Sequence, residues 1–514
     1  MSLMSERAAW LSPPRPGSRL LGWLGPLLVT AFAAFFRFAR LGQPQAVVFD
    51  ETYYAKDALA LLKFGVEHST IKDAKGKDLA DPLILKGQIS GIWTDGGSFV
   101  AHPPAGKWMI AAGEWLFGMT PFGWRFTAAL VGTLSVLILA RVTRRMTGST
   151  LLGCAAGLLL ALDGLHLVAS RTAILDIFVM FWVLAAFGCL VVDRDVARAR
   201  LADRLDDRVD DLAFGPGLGM RWWRLGAGVC LGLACGTKWS GLFFVMAFGA
   251  MTFLWDSGAR RAAGVRHPFT GALRYDALPA FVAVPVVSAV TYVASWSGWF
   301  ASDIGWGRHW ADGRGGTFSF VPAPLRSFWH YHAQIMRFHT GLDSHHRYQS
   351  WPWDWPILRR PVAFYYSEPS GCGAAKCSRE ILGLGTPAIW WAAIPALAIL
   401  LGWWLVRRDW RAGAASLGYA AGLLPWFYYA AGDRTMFAFY ATPMIPFMVL
   451  AIVLVLGLLL GPADDSGRRL VGATLGGAYL LTVLANFYLL YPILTAEVIT
   501  YDAWRLRIWF DSWI

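Results

Sequence analysis

Apolar runs recur along the whole chain, separated in turn by short arginine-rich segments and by stretches crowded with aromatic and polar residues. A helix needs about 20 apolar residues to cross a bilayer. Runs of that kind fall near 20–40, 121–141, 150–168, 174–192, 224–237, 240–256, 278–299, 386–406, 413–431, 435–460 and 470–491, which predicts about eleven spans. The first run follows a tail, 1–19, that holds Arg7, Arg15 and Arg19. It has no small-residue cleavage site, so it reads as a retained span rather than a removed signal.

Charge fixes an expected orientation. Arg141, Arg144 and Arg145, then Arg260, Arg261 and Arg266, then Arg407, Arg408 and Arg411, then Arg468 and Arg469 fall in alternate connections. By the positive-inside rule these connections and the tail are cytoplasmic. The balanced Asp/Arg segment 193–223 falls on the same side and reads as a solvated surface helix. The opposite face then holds a first external loop, 41–120, a second, 300–385, tight turns near Arg171, Lys238 and Arg434, and the C-terminus. The chain divides accordingly into the tail, an N-terminal transmembrane core over 20–299, the second loop, and a C-terminal four-helix region over 386–514.

Composition agrees with a polytopic all-α membrane protein: 56% of residues are hydrophobic, 16% are charged, and 28 are Trp. The net charge of +12 sits in the connections between apolar runs, not in a basic aromatic domain, so nucleic acid is excluded as a partner. No internal repeat suggests the inverted halves of a transporter. Cys154, Cys189, Cys230 and Cys235 lie in or beside apolar runs and read as buried thiols. Cys372 and Cys377 lie in a polar external segment, where a small-loop disulfide can form.

The unusual residues gather on the external face. Phe49-Asp50-Glu51 places two acids just past the first span, where carboxylates must hold a partner or cap a helix. Tyr53, Tyr54, Ala58, Leu61 and Leu62 continue from them at helical spacing, as in an amphipathic helix with the acids at its N-terminus. His102-Pro103-Pro104-Ala105-Gly106-Lys107 offers a His and a Lys at a helix start. Asp163 and Asp176 call for basic partners on neighbouring spans, and His166 accompanies Asp163. Arg171, Lys238 and Arg434 are cations on the external side; they snorkel, or they bind a phosphate. The segment from His345 and His346 to Trp351, Trp353 and Trp355 sets aromatic faces beside polar donors, which suits a sugar or an extended peptide. Neither a Walker pattern nor a Gly-rich dinucleotide loop is present, so an activated donor is expected to arrive through the membrane.

The order of these motifs resembles that of the protein O-mannosyltransferases, glycosyltransferases of the GT-C class that use a polyprenyl-phosphate sugar. The matching pieces are Phe49-Asp50-Glu51, His102 to Lys107, Ser170-Arg171 to Asp176, Gly236-Thr237-Lys238-Trp239, Tyr348 to Pro356 and Arg434 to Tyr440. The second loop is too short for the β-trefoil module of eukaryotic members, so the chain resembles the compact bacterial form.

The resemblance implies a plasma-membrane enzyme that moves mannose from polyprenyl-phosphate-mannose to Ser/Thr hydroxyls of secreted polypeptides, with inversion. Asp50 is the implied catalytic acid, acting as general base, with Glu51 as its positioning or electrostatic partner. His102, Lys107, Arg171, Lys238 and Arg434 are implied as donor-phosphate or site-shaping groups. Tyr53, His345, His346, Trp351 and Trp353 are candidates to hold acceptor or sugar. Some GT-C relatives carry a divalent metal at the acidic motif, but ligands for one are not evident here and a metal-free site is expected. Membrane lipid and the protein-secretion machinery complete the partners it admits. A GT-C enzyme acting on lipid or envelope polysaccharide is the alternative; an ion-coupled transporter fits poorly, because only Asp163 lies at span depth.

Overall fold

In a computed structural model the chain is described over residues 18–76, 78–206, 213–461 and 465–514. The expected tail, 1–19, lies outside these residues apart from its last two positions, and so does part of the 193–223 segment.

Eight helices are long and apolar enough to cross a membrane: Arg19–Phe38, Pro121–Thr147, Leu175–Leu205, Gly241–Ala262, Ala277–Ser295, Pro387–Arg407, Ala438–Leu460 and Ser466–Leu494. The other three expected spans coincide with shorter elements. Thr150–Ala161 is followed by Gly164–Ala169, and Trp410–Leu423 by Pro425–Ala430, while Trp222–Thr237 stands alone. Local chemistry explains the breaks. The Asp163 side chain accepts from the His166 amide at 2.9 Å and starts a new helix there, and Pro425 lacks the amide a continuing helix needs. Length and apolarity alone therefore support eight spans among the described residues, and they do not confirm the expected eleven.

Burial sorts these helices into layers. Pro121–Thr147, Leu175–Leu205 and Ala438–Leu460 each have 67% of their apolar window buried and form the centre. Arg19–Phe38 and Ser466–Leu494 bury 17% and turn their remaining apolar surface outward, as helices against lipid do. Where Trp222–Thr237 meets the Ala277–Ser295 span the backbones nearly touch: a Cβ on Gly228 would lie 2.0 Å from the Ala283 carbonyl oxygen, and one on Gly232 would lie 2.5 Å from Thr291 Cβ. Only glycine admits that approach.

Two expectations about charge change. The 193–223 segment is no detached surface helix, because the Leu175–Asp206 helix runs straight into it. Asp193 is buried there with Asp256 between Arg221 and Arg224, the four side chains bridged at 2.5–3.1 Å. Among the described residues no basic side chain bonds the Asp163 oxygens; Trp390 Nε1 donates to them at 2.7 Å and the Thr386 amide at 3.3 Å.

The two long loops are folded. The first holds helices Glu51–Phe64 and Ala105–Phe117 and an antiparallel pair, His68–Thr70 with Trp93–Gly97. The second holds helix Ala323–Thr340 and a hairpin, Val362–Ser367 with Cys377–Gly383, to which Ile499–Thr500 adds a third antiparallel strand. Cys372 and Cys377 are disulfide-bonded at its turn. The Phe49 ring stacks on Phe364 of this sheet at 4.8 Å, and the acidic motif is thereby seated on the second loop.

Candidate active site

The adjacent acids divide their duties. Glu51 is fully buried and pairs with Arg125, also fully buried, through Nε at 2.7 Å and Nη2 at 2.8 Å. Its oxygens also accept the amides of Val48 at 2.9 Å and Ala173 at 3.1 Å. Arg125 uses its remaining donors on the carbonyls of Leu41, Pro44 and Ala46. Seventy-odd residues apart in sequence, the two form one clamp on the 41–51 connection. Phe49, held inside it, takes a left-handed backbone with φ of 49°, which turns the chain sharply before Asp50.

Asp50 occupies the cap position of the Glu51–Phe64 helix, but its carboxylate makes no capping hydrogen bond. Its backbone carbonyl alone accepts the Tyr53 and Tyr54 amides. The side chain is therefore presented rather than consumed. Burial pushes its pKa up to about 7; the Lys238 ammonium works against that rise, nearby Asp176 adds to it, and the Tyr54 phenol opposes it. A carboxyl tuned close to neutrality can take up and release a proton at working pH.

Lys238 acts on this acid, and Lys238 and Arg434 both act on His102. Lys238 closes the Trp222–Thr237 helix, and its Nζ lies 3.0 Å from both Asp176 oxygens and 4.2 Å above the Tyr440 ring. The Arg434 guanidinium lies near the rings of Trp426, Tyr429 and Tyr440 and donates to the His339 carbonyl at 2.9 Å. His339 Nε2 lies 3.0 Å from the Ala101 carbonyl, and its Nδ1 lies 3.3 Å from Arg434 Nη2. Burial and the Arg434 charge pull its pKa down to about 4, so the ring is neutral. His102 lies between the Tyr54 and His339 rings, with centroids 6.2 and 5.3 Å away. Burial, then Lys238 and His339, hold it well below the ordinary histidine range. Its Nδ1 has no hydrogen-bond partner among the described residues.

Other expected site residues serve the scaffold. Lys107 is fully buried against Glu67, with Asp57 at 3.5 Å, so its charge is already matched. Arg171 donates to the carbonyls of Phe36, Arg37, Ala39 and Arg40 and seals the end of the first span. In this geometry both side chains are engaged, Lys107 by two carboxylates and Arg171 by backbone carbonyls. Lys107→Met should lower stability by roughly 3–5 kcal/mol, because two buried acids lose their counter-charge. A thermal melt of the detergent-solubilised protein reads that loss, and an unchanged melt contradicts it.

The acceptor candidates spread over the rim. Tyr53 is 64% exposed, about 100° around its helix from buried Tyr54. Trp351 and Trp353 stack at 5.6 Å, and Trp353 is half exposed. His346 packs edge-on against Phe437 at 5.1 Å, while His345 is exposed. Backbone bonds from Thr435 to Leu342 and from Ser350 to Met436 fasten this segment beside Arg434.

Arg125, Tyr54 and His339 went unnoticed as site-builders in the sequence. For His339 a weak signal existed, since it shares an inward helix face with Ser327, Tyr331 and Ile335. No group of three or more His, Cys, Asp or Glu placed to hold a metal occurs among the described residues. The charges nearest Asp50 are Lys238 and Asp176, already paired to each other.

Comparisons with known proteins follow the same outline. Residues 27–261 match the family described as dolichyl-phosphate-mannose-protein mannosyltransferase, and residues 324–513 match the C-terminal four TMM region of protein-O-mannosyltransferase. The chain is 43% identical over 511 residues to a polyprenol-phosphate-mannose–protein mannosyltransferase of Mycolicibacterium smegmatis, covering 97% of this chain and 94% of the relative. It is 34% identical over 500 residues to the Corynebacterium glutamicum protein of that name, covering 95% and 92%. Among solved structures, the Saccharomyces cerevisiae protein O-mannosyltransferase Pmt1-Pmt2 complex bound to the sugar donor matches with a TM-score of 0.73 at 15% identity, over 99% of this chain and 94% of that one. That match shows a shared GT-C fold.

Proposed function

The chain belongs to the dolichyl-phosphate-mannose-protein mannosyltransferase family, and from that premise we propose how its site works: Asp50 is the base that activates a protein hydroxyl toward mannose carried on polyprenol phosphate. The enzyme is a membrane-embedded mannosyltransferase that takes mannose from a polyprenol-phosphate-mannose donor to protein. The finer assignments are Ser and Thr as acceptors, inversion at the sugar carbon, and a plasma-membrane setting with the site on the extracytoplasmic face and the N-terminus inside.

The observation that carries the base assignment is the Asp50 carboxyl, which caps no helix and is raised to about 7 against the pull of Lys238. A Ser or Thr hydroxyl is a weak nucleophile until a carboxylate accepts its proton during attack. The C1–O bond to phosphate breaks as the new C1–O bond forms, and the phosphate leaves as an anion needing no proton. Nearby cations stabilise that departing charge, which differs from the two-carboxylate layout of glycoside hydrolysis. Attack from the face opposite the phosphate inverts the carbon. Neutral His102, with its free Nδ1, suits a hydrogen bond to sugar or acceptor.

The test incubates membranes holding this chain with radiolabelled polyprenol-phosphate-mannose and a Ser/Thr-rich peptide. Label on the peptide supports the reading; label only in lipid or polysaccharide overturns it. The pH profile sharpens it. Asp50 accepts a proton only when ionised, so turnover should climb with pH through about 7 and then level. Lys238 holds that pKa down, so Lys238→Met should move the midpoint upward in whatever folded enzyme survives. A profile flat from pH 5 to 8 removes Asp50 from the role.

A further inference from the structure

Helix Ala323–Thr340 carries a surface that the proposed chemistry does not use. Ser327, Tyr331 and Ile335 face inward and are buried. Leu325, Trp329 and Met336 fall within about 40° of one another on the outer side of a 3.6-residue helix. They are 49%, 79% and 50% exposed, and the preceding Phe318 and Phe320 are 66% and 80% exposed. Arg326 ties these elements together by donating to the carbonyls of Val321 and Arg314. Five large apolar side chains open to water, three on the helix and two on the turn before it, mark a docking surface.

Two observations name its occupant. Between Asp312 and Asp343 the chain holds no acid but carries Arg314, Arg326 and Arg337, with Arg314 and Arg337 exposed. Arg337 sits about 100° around the helix from the apolar stripe, the layout of a helix lying in a lipid interface. The helix is also pinned at membrane height: His332 Nε2 lies 2.6 Å from the Tyr292 hydroxyl, on the last turn of the Ala277–Ser295 span. Val290 and Val293 of that span are themselves exposed apolar residues.

We propose that the Phe318–Met336 surface docks on an anionic lipid leaflet, on the membrane side that holds Asp50. The contact bears on the site, because His339 at the end of the same helix binds both Arg434 and the Ala101 carbonyl beside His102.

The experiment places the full chain in vesicles of phosphatidylglycerol or of phosphatidylcholine, each doped with a photoactivatable lipid of the same headgroup, and maps crosslinked peptides. Labelling of the 318–336 peptides alongside the Val290–Val293 peptides, and several-fold stronger with phosphatidylglycerol, is the expected result. Arg337→Glu should cut the preference for anionic lipid roughly fivefold or more, the factor one basic contact at such a leaflet supplies. Phe320→Ser with Trp329→Ser should remove the crosslink while labelling of the span persists. If the span is labelled and 318–336 is not, the proposal falls. It falls equally if a Ser/Thr-rich polypeptide without lipid shields those peptides from exchange and lipid does not label them, which would give the surface to the acceptor. Transfer activity measured in parallel separates this outcome from failure of the mannosyltransferase reading.

Discussion

Asp50→Asn should reduce mannosyl transfer roughly 10²–10⁴-fold, the range in which a positioned base acts, while the protein still folds and binds its donor. The argument begins with what the substitution leaves intact. The Asp50 side chain caps no helix, and the Glu51–Arg125 clamp that shapes the turn does not pass through it. Burying the ionised carboxyl is unfavourable, which is why its pKa is raised to about 7, so a neutral amide should be tolerated and can even stabilise. Lys238 and Arg434, proposed above as the cations for the departing phosphate, remain in place. Loss of turnover with retained melting temperature and retained donor binding is then the expected combination. Asp50→Glu offers a second view, because displacing the carboxylate by one methylene is of the size that costs about 10²-fold in a positioned reaction. Near-normal turnover in the Asn variant would remove Asp50 from the chemistry, whatever its surroundings.

How far the chain could be read in advance follows from the range of the interactions involved. The apolar runs 121–141, 174–192 and 386–406 are visible in sequence because membrane helices satisfy their backbone locally and need only a length of apolar residues. The break at Asp163 and the start at Pro425 carry local signals too, and with attention to them the shorter helices were legible. The tertiary partners were not. Glu51 and Arg125 are 74 residues apart, and nothing near either position names the other. Adjacent to Asp50, Glu51 reads as its positioning or electrostatic partner; only the fold reveals the four donors that converge on it. The same holds for Lys107 and Arg171, whose residue types suit a phosphate and whose donors are taken up by two acids and by four backbone carbonyls respectively. Asp176 and Lys238 lie closer to the legible side, since an acid at the start of one span and a Lys ending another call for partners. Arg434, Lys238 and His102 come from three connections far apart in sequence, and Lys238 and Arg434 both act on His102, an arrangement that pattern alone does not encode.

The Glu51–Arg125 clamp gives the second large expected effect. Glu51→Ala or Arg125→Ala alone should destabilise the protein by roughly 3–5 kcal/mol, because each leaves its partner charged, fully buried and uncompensated. The double variant should lose less than the sum, since both charges are gone together. It should not recover fully. Glu51 also accepts the Val48 and Ala173 amides, and Arg125 also serves the carbonyls of Leu41, Pro44 and Ala46. Those backbone groups stay buried without partners when both side chains are removed. Denaturation of the four proteins in detergent, as midpoint or as half-life at fixed temperature, completes the cycle. Activity then separates positioning from chemistry. In Glu51→Gln the turn that presents Asp50 loosens, so kcat should fall, yet the pH midpoint near 7 should persist because the titrating carboxyl is still Asp50. A midpoint that vanished with Glu51 while Asp50 remained would exchange the roles of the two acids. A clamp wholly enclosed by Arg125 and two amides leaves Glu51 no oxygen free for a substrate proton, and that geometry is the reason to expect the midpoint to stay.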